Sequence, residues 1–220
     1  MNYLQLCNAV LREINEVEIT NVTSTRGIQT SVADFINKAQ RDIINSEVEW
    51  PFTVVSQSFT TTAGTAEYAR ESDAKTVDYD SFTVQESAST SERKLKYLSF
   101  NEYLERRNEA DTNPDTGSRA LPEFIYKTPD QKLGLSPVPD KSTYTVRYYY
   151  YKTVSDMSAN TDTPTIPERF HDVIVNRARY FAHMLRSDVQ FSQLALRDYT
   201  EGLSRMRIEL INRKDYMRAV

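Results

Sequence analysis

The residues that could perform chemistry are few, and they lie far apart in this sequence. Loops that cradle a phosphate need clustered glycines, because only a backbone without side chains can approach the anion closely. The five glycines stand at positions 27, 64, 117, 134 and 202. A metal site or an activated thiol would have to be built from Cys7, His171 and His183. The two histidines are separated by about 18 Å along a helix axis, so they cannot share a metal ion within one chain.

Carboxylates are common, and the pairs Asp78/Asp80 and Glu102/Glu105 stand at strand or helix spacing. Glycoside hydrolysis needs two carboxyl groups across a cleft in different environments, and nothing in the sequence distinguishes such a pair. Solvated acidic groups explain these pairs better than an active site does. We therefore predict that the protein is not an enzyme and that it has no catalytic residue, no cofactor and no metal ligand.

The last quarter of the chain is basic. Residues 168–220 carry a net charge of +3 and the residues before them −7, within a total of −4. The basic residues toward the end are Arg197, Arg205, Arg207, Arg213, Lys214 and Arg218. An Arg-rich helix could lie along a nucleic-acid backbone, which makes a nucleic-acid-binding regulatory protein the alternative function. Acidic residues are interspersed, so a protein partner or a solvated helix face fits this segment better.

Two amphipathic helices are predicted at the start of the chain. The first, over residues 2–17, has apolar residues at three- and four-residue spacing, namely Leu4, Cys7, Val10, Leu11, Ile14 and Val17. The second is expected to begin with a capping-box variant at Ser31 and Asp34 and to end near Trp50-Pro51. Their apolar stripes would face each other as an antiparallel pair.

Beyond Pro51, β-branched and aromatic residues alternate with polar ones, which is typical of strands. Strands are predicted near residues 52–62, 67–70, 76–86, 93–98, 123–128, 132–135 and 144–152. A capping box of Ser99 and Glu102 predicts a short helix near residues 100–108, followed by a polar loop over 109–120.

A tyrosine-rich segment ends this region. One face of the predicted strand carries Tyr144, Val146, Tyr148 and Tyr150, and the other carries Arg147, Tyr149 and Tyr151. Aromatic rings on both faces fit a central strand that is covered on both sides. They also fit a strand of which one face meets a neighbouring subunit.

Two further helices are predicted at the end. Pro167 and Glu168 indicate the start of the first. Its main face would hold Phe170, Val173, Ile174, Arg177, Tyr180, Phe181, Met184 and Leu185. A second, capped at Ser187-Asp188, would bury Phe191, Leu194, Tyr199, Leu203, Met206 and Leu210. Helices at both ends predict an α+β fold, in which residues 1–50 and 154–220 form a helical bundle and residues 51–153 an inserted, mainly antiparallel β domain.

Composition limits the location. Hydrophobic residues make up 39%, without a run of about 18 apolar residues that could span a bilayer. The first residues lack the features of a secretory signal, and the single cysteine has no partner for an intrachain disulfide. We therefore expect no membrane association and a cytoplasmic site of synthesis.

In this order, the features resemble the head-to-tail adaptor family of tailed phages, called tail tubular protein A in short-tailed phages (podoviruses). The resemblance rests on "LCNAVLREINEVEI" within residues 4–19, "VADFINKAQRDIINSEVEWPF" at 32–52, the Thr62-Ala63-Gly64 turn with Tyr68, "LGLSPVP" at 133–139, the tyrosine-rich strand and "IPERFHDVIVNRARYFAHML" at 166–185. The sequence departs from the family after Tyr68, where Ala69-Arg70-Glu71 replaces a frequent Leu-Pro.

The resemblance implies a structural virion protein, made in the host cytoplasm, that forms a twelve-fold ring at the head–tail interface. The ring would bind the portal above and the tail nozzle protein below, and double-stranded DNA would pass through it during ejection. An acidic lumen would keep DNA from adhering, and its candidate residues are Glu67, Glu71, Asp73, Asp78, Asp80 and Glu86. A C-terminal arm near residues 203–220 would dock on the portal through Met206, Arg207, Leu210, Ile211, Arg213, Lys214, Tyr216, Met217 and Arg218.

Overall fold

The computed structural model of the chain describes residues 1–87, 90–109 and 119–211. It divides into two compact units. The helical unit is formed by Met1–Thr53 together with the chain from Thr153 onward, and the β unit is Val54–Lys152. Helices at both ends of the sequence and a middle of mainly antiparallel strands confirm the predicted α+β class.

The described α-helices are α1 (Tyr3–Glu13), α2 (Ile28–Asn45), α3 (Phe100–Glu109), α4 (His171–Leu185) and α5 (Val189–Leu210). Single 3-10 turns occupy Val22–Ser24, Pro51–Thr53 and Glu168–Phe170. The two predicted C-terminal helices are confirmed, and the Asp188 side chain caps α5 by accepting a hydrogen bond from the backbone N–H of Phe191. The predicted capping box of α3 is also confirmed, because Ser99 N–H donates to Glu102 Oε2 at 2.7 Å.

The boundaries of the first two helices differ from the prediction. A capping box of Asn2 and Gln5 starts α1, and the helix stops at Glu13 because Asn15 takes a φ of 56°. Val17 therefore lies outside the helix and is exposed. The prediction that Ser31 and Asp34 start the second helix is wrong. The chain enters α2 through Gly27, whose φ of 55° suits a residue without a side chain.

Helix α4 contacts α1, α2 and α5, so the core of the helical unit forms around it. Its fully buried members include Leu6, Val10, Leu11, Val32, Ile36, Ile43, Ile174, Ala178, Ala182 and Met206. The predicted contact between α1 and α2 is present. That pair alone has too little apolar area to be stable, and packing on α4 supplies the remainder.

Four residues on the predicted buried faces of the two C-terminal helices are exposed. Met184 and Leu185 end α4, and Phe191 and Leu194 lie in the first turns of α5. A periodic stripe identifies the apolar side of a helix but not how far along it a neighbouring helix extends. Helix α1 ends beside this turn, where the Arg186 guanidinium donates to the backbone oxygen of Ile14 at 2.6 Å.

The strands of the β unit are β1 (Val54–Thr60), β2 (Glu67–Tyr68), β3 (Ala74–Gln85), β4 (Arg93–Lys94), β5 (Lys96–Leu98), β6 (Phe124–Lys127), β7 (Leu133–Ser136) and β8 (Thr145–Lys152). They form two sheets in the orders β1-β8-β3-β4 and β2-β7-β6-β5. Leu95 N–H donates to Phe82 O at 2.9 Å and Lys96 N–H to Glu123 O at 3.0 Å. Residues 93–98 therefore link the two sheets.

Strand β8 is central in its sheet, as predicted, and its neighbours are β1 and β3. Tyr144, Val146, Tyr148 and Tyr150 are buried on its inner face. Tyr149 on the other face is 44% exposed, so the described residues do not cover both faces. The expectation of a strand covered on both sides is wrong in this respect, and a contact of the open face with a neighbour stays a prediction.

Aromatic stacking fills the β unit. The rings of Phe82 and Tyr148 are parallel within 3°, with centroids 4.7 Å apart. The ring of Tyr126 stacks on Tyr103 at 3.7 Å and lies against Gly134, where the Cβ of any larger residue would come within 2.2 Å of the ring. A residue without a side chain is therefore required at position 134.

Candidate functional site

The residues that the sequence offered for catalysis lie apart from one another. Cys7 is buried in the core of the helical unit, and this burial raises the pKa of its thiol to about 12. A thiol with such a pKa is not ionised near neutral pH and is a poor nucleophile. Within residues 1–87, 90–109 and 119–211, no group of three or more His, Cys, Asp and Glu residues is arranged to hold a metal ion.

Both histidines are buried and have structural environments. Burial lowers the pKa of His171, whose Nδ1 lies 2.9 Å from the Met1 amine and whose Nε2 lies 2.9 Å from Ile166 O. Burial also lowers the pKa of His183. The His183 ring stacks on Phe191 at 5.5 Å, and its Nδ1 has no hydrogen-bond partner among the described residues. The contacts described for the two histidines include no Ser, Thr or Cys side chain that they could activate.

The six acidic residues predicted for the lumen all belong to the β unit. Glu67 pairs with Lys132 at 3.4 Å and Glu86 with Lys141 at 2.7 Å. These two carboxylates are thus partly neutralised within the chain.

The other four take part in hydrogen bonds. Glu71 accepts a hydrogen bond from Gln57 at 2.7 Å, and Asp73 accepts one from the Tyr150 hydroxyl at 3.0 Å. Asp78 accepts a hydrogen bond from Asp80 N–H at 3.0 Å, where the register of β3 against β8 shifts. The position of all six acidic residues in a lumen stays a prediction.

The described residues of the predicted portal-docking set belong largely to the helical unit itself. Met206 has no exposed surface and lies in the core. Arg207 Nε donates to Glu47 Oε1 at 2.5 Å, which ties α5 to the segment after α2. Leu210 and Ile211 pack partly buried against the core. The remaining members, Arg213, Lys214, Tyr216, Met217 and Arg218, lie outside the described residues.

Most arginines of α4 and α5 form ion pairs within the helical unit. Arg177 donates to Asp42 Oδ2 through Nε at 2.9 Å and Nη2 at 2.7 Å. Arg179 contacts Asp198 at 2.7 Å. These contacts occupy guanidinium groups that a nucleic-acid backbone would need.

An exposed apolar surface, which the sequence did not reveal, lies where α4 turns into α5. We call it the hairpin tip and define it by Met184, Leu185, Val189, Phe191 and Leu194. Each of these side chains is between 42% and 59% exposed. Single exposed apolar residues are common, whereas five within eleven positions are typical of a protein-binding surface. Two signals were available in the sequence, the short turn and the density of large apolar residues on both sides of it.

Among the described residues, no helix is both long enough and apolar enough to cross a membrane. The hairpin tip is bordered by Arg186, which is held by Ile14 O and Glu16, and by the capping residue Asp188. An apolar centre with a polar border is the usual composition of a protein–protein interface.

Comparison with known proteins identifies a family for the chain. No curated protein matches the sequence. The family model described as SU10 adaptor protein matches residues 1–220, the whole of the chain. The match covers the helical unit and the β unit alike, and it agrees with the order of elements that resembled phage adaptors. The chain therefore belongs to the SU10 adaptor protein family, a family of phage head-to-tail adaptors.

Proposed function

We propose that the chain forms a ring between the portal and the tail nozzle of a short-tailed phage, through which DNA leaves the head. The family match over residues 1–220 carries this proposal, because it makes the protein a phage adaptor and thus a virion component. The role is structural and non-enzymatic. Twelve copies in the ring are expected from the resemblance to tail tubular protein A, which implies a twelve-fold assembly.

Interfaces in such a ring are heterologous, because each subunit uses one surface toward one neighbour and a different surface toward the other. The hairpin tip supplies an apolar surface of the kind that a heterologous contact needs. Burial of its five side chains against a neighbour would contribute roughly 25 cal/mol for each Å² of apolar surface removed from water. Since the tip lies in the helical unit, we place one subunit contact there.

Negative-stain images of the chain mixed with purified portal test the ring. We expect an additional density layer on the portal, and size-exclusion chromatography should show the chain co-eluting with it. A portal that remains bare at high adaptor concentration would reject the proposal. The matched control for the tip is Ile208→Asp on the exposed face of α5, compared with Phe191→Asp in the tip. The tip variant should stay folded but lose the layer, whereas the control should form it.

We further propose that the segment beyond α5 grips the portal. Helix α5 is anchored by Met206 in the core and by the Arg207–Glu47 ion pair, so the chain leaves the unit at a fixed point. Beyond this point Arg213, Lys214 and Arg218 offer charge-assisted hydrogen bonds, and Tyr216 and Met217 offer apolar anchors.

Deletion of residues 212–220 tests the arm. This boundary retains Arg207, Leu210 and Ile211, whereas a deletion from Arg207 would remove their contacts and mix loss of stability with loss of docking. The truncated chain should unfold at the same temperature as the full chain and fail to capture portal in a pull-down. Undiminished capture would reject the arm.

The acidic residues of the β unit are proposed to face the lumen. A wall of like charge holds DNA away from the surface and allows it to slide. Replacement of Asp78 and Asp80 by lysine should make adaptor–portal rings retain duplex DNA at low salt, and the retention should fall as salt rises. The matched control is lysine at Thr161 and Thr163, which are exposed in the helical unit. Equal retention by the two variants would contradict the placement of Asp78 and Asp80.

A further inference from the structure

In the part of the chain that the structure describes, no strand pairs with the outer edge of β1. This strand is the outermost of its sheet, in the order β1-β8-β3-β4. Its seven residues pair with β8 one by one, without a register shift. The solvent-facing side chains, those of Val54, Ser56, Ser58 and Thr60, are exposed.

The main-chain groups that face this edge follow from the register. Thr61 N–H donates to Tyr144 O at 2.9 Å, so Thr61 points toward β8. Because N–H directions alternate along a strand, Val55, Gln57 and Phe59 also bond to β8. The N–H and C=O groups of the alternate residues therefore point away from β8, to the outer edge. These residues are Val54, Ser56, Ser58 and Thr60. One of these N–H groups, that of Ser58, donates to Oε1 of the adjacent Gln57 at 3.2 Å.

The strand lacks the features that usually protect an edge. Edge strands are blunted by charged side chains, prolines or bulges, because an open row of N–H and C=O groups is a template for another strand. The segment Val54–Thr60 reads VVSQSFT and contains neither a charged residue nor a proline, and its pairing with β8 contains no bulge. An edge of this kind favours pairing with a second strand.

The sequence of the strand is nearly symmetric about Gln57. In an antiparallel pair centred there, Val54 of one copy lies opposite Thr60 of the other, and Ser56 lies opposite Ser58. In both pairs, the N–H and C=O groups of the two residues face the outer edge, so they can form hydrogen bonds between the two copies. The remaining pair, Val55 with Phe59, brings apolar side chains together on the core side. The strand is therefore complementary to itself.

We propose that two copies of this chain associate through β1, edge to edge and antiparallel about Gln57, into a two-fold dimer. About eight main-chain hydrogen bonds would form across the pair, and no like charges would meet. A two-fold contact uses the same surface on both copies, so it closes after two and adds no third copy. The dimer is therefore a state of the free protein and differs from a ring. This inference depends on the strand alone and does not require the proposed function.

Light scattering coupled to size-exclusion chromatography of the free chain tests the dimer. The mass of the native chain should be twice 25.4 kDa at high concentration and fall toward 25.4 kDa on dilution. Ser56→Lys with Ser58→Lys places lysines opposite lysines in the pair and should give the monomer mass throughout. Ser91→Lys with Thr163→Lys adds the same charge at exposed positions outside β1 and should leave the dimer intact. Circular dichroism checks that both variants remain folded.

Cross-linking tests the register. In the proposed pair, residue 56 faces residue 58, within reach of a disulfide, whereas two copies of residue 56 are diagonal neighbours about 7–8 Å apart. A mixture of Ser56→Cys and Ser58→Cys chains should therefore cross-link several-fold faster than either chain alone. Cys7 is buried and common to all samples.

Three results would overturn the proposal. They are a native chain that stays monomeric at every concentration, an oligomer that survives the double lysine change, and cross-linking that is no faster in the mixture. Since the free chain is measured without portal, each of these results leaves the adaptor proposal standing. Failure of portal binding would in turn leave the dimer standing.

Discussion

Replacement of Met206 by alanine tests whether this residue stabilises the fold or binds a partner. The sequence suggested Met206 as a portal anchor, whereas its side chain has no exposed surface and lies in the core of the helical unit. Loss of a fully buried Met side chain removes apolar contacts and leaves a cavity, which together cost about 2–5 kcal/mol. The higher helix propensity of alanine offsets only a few tenths of this. We expect the free energy of unfolding of the helical unit to fall by about 2–5 kcal/mol.

The assay is urea unfolding followed by circular dichroism, with a thermal scan beside it. For a chain of 220 residues, about 2–4 °C of midpoint shift corresponds to 1 kcal/mol, so the midpoint should fall by roughly 4–20 °C. The control is Ile208→Ala on the exposed face of the same helix, which should change stability by less than about 0.5 kcal/mol. If Met206→Ala weakened portal capture while the unfolding midpoint matched that of the control, the placement of Met206 in the core would be refuted.

Four further outcomes are expected. Gly134→Ala should lower the free energy of unfolding by about 1–3 kcal/mol, since the added Cβ would lie 2.2 Å from the Tyr126 ring, and Tyr126→Leu should relieve part of the loss in a double-mutant cycle. Asp42→Asn should cost about 1–2 kcal/mol and show coupling to Arg177→Gln that weakens with salt, because both side chains are less than one-third exposed. Burial lowers the pKa of His183 below its value of 6.5 in the unfolded chain. The stability that the neutral His183 contributes to the fold is therefore complete above pH 6.5 and is lost as the pH falls below that value. His183→Gln should therefore reduce the fall in stability between neutral and acidic pH; an identical pH profile would count against this. A gel shift with duplex DNA at low salt should show no tight complex, and a steep salt dependence of binding would instead support a nucleic-acid-binding function.

Local patterns predicted the secondary structure well, because side-chain periodicity depends on near neighbours in the sequence. Strand β8 and the capping box at Ser99 are examples. The start of α1 at Asn2 and Gln5 also carries a capping-box signal that could have been recognised. The entry to α2 is different, since a glycine with positive φ at position 27 has no side-chain signature beyond the glycine itself.

Properties that depend on distant parts of the chain could not be predicted. Strand β8 lies between β1 and β3, which are far from it in sequence, and nothing in the local pattern determines this order. The burial of a helical stripe also depends on which elements cover it. Met206 and Phe191 both lie on predicted apolar faces of the same helix, yet the first is in the core and the second is exposed at the hairpin tip. The predicted portal-docking set contains both core and surface residues because the helical pattern does not show which side chains a neighbouring element covers.

The charge asymmetry of the sequence has a structural explanation that bears on function. The basic C-terminal helices lie in one unit with the acidic N-terminal helices, and Arg177, Arg179 and Arg207 bond to Asp42, Glu13 and Glu47 respectively. A polyanion would have to compete with partners that are already in hydrogen-bonding contact, some of them partly shielded from water. The basic residues of α4 and α5 therefore hold the two ends of the chain together. Guanidinium groups that are engaged in this way suit contact with a protein partner better than contact with a nucleic-acid backbone.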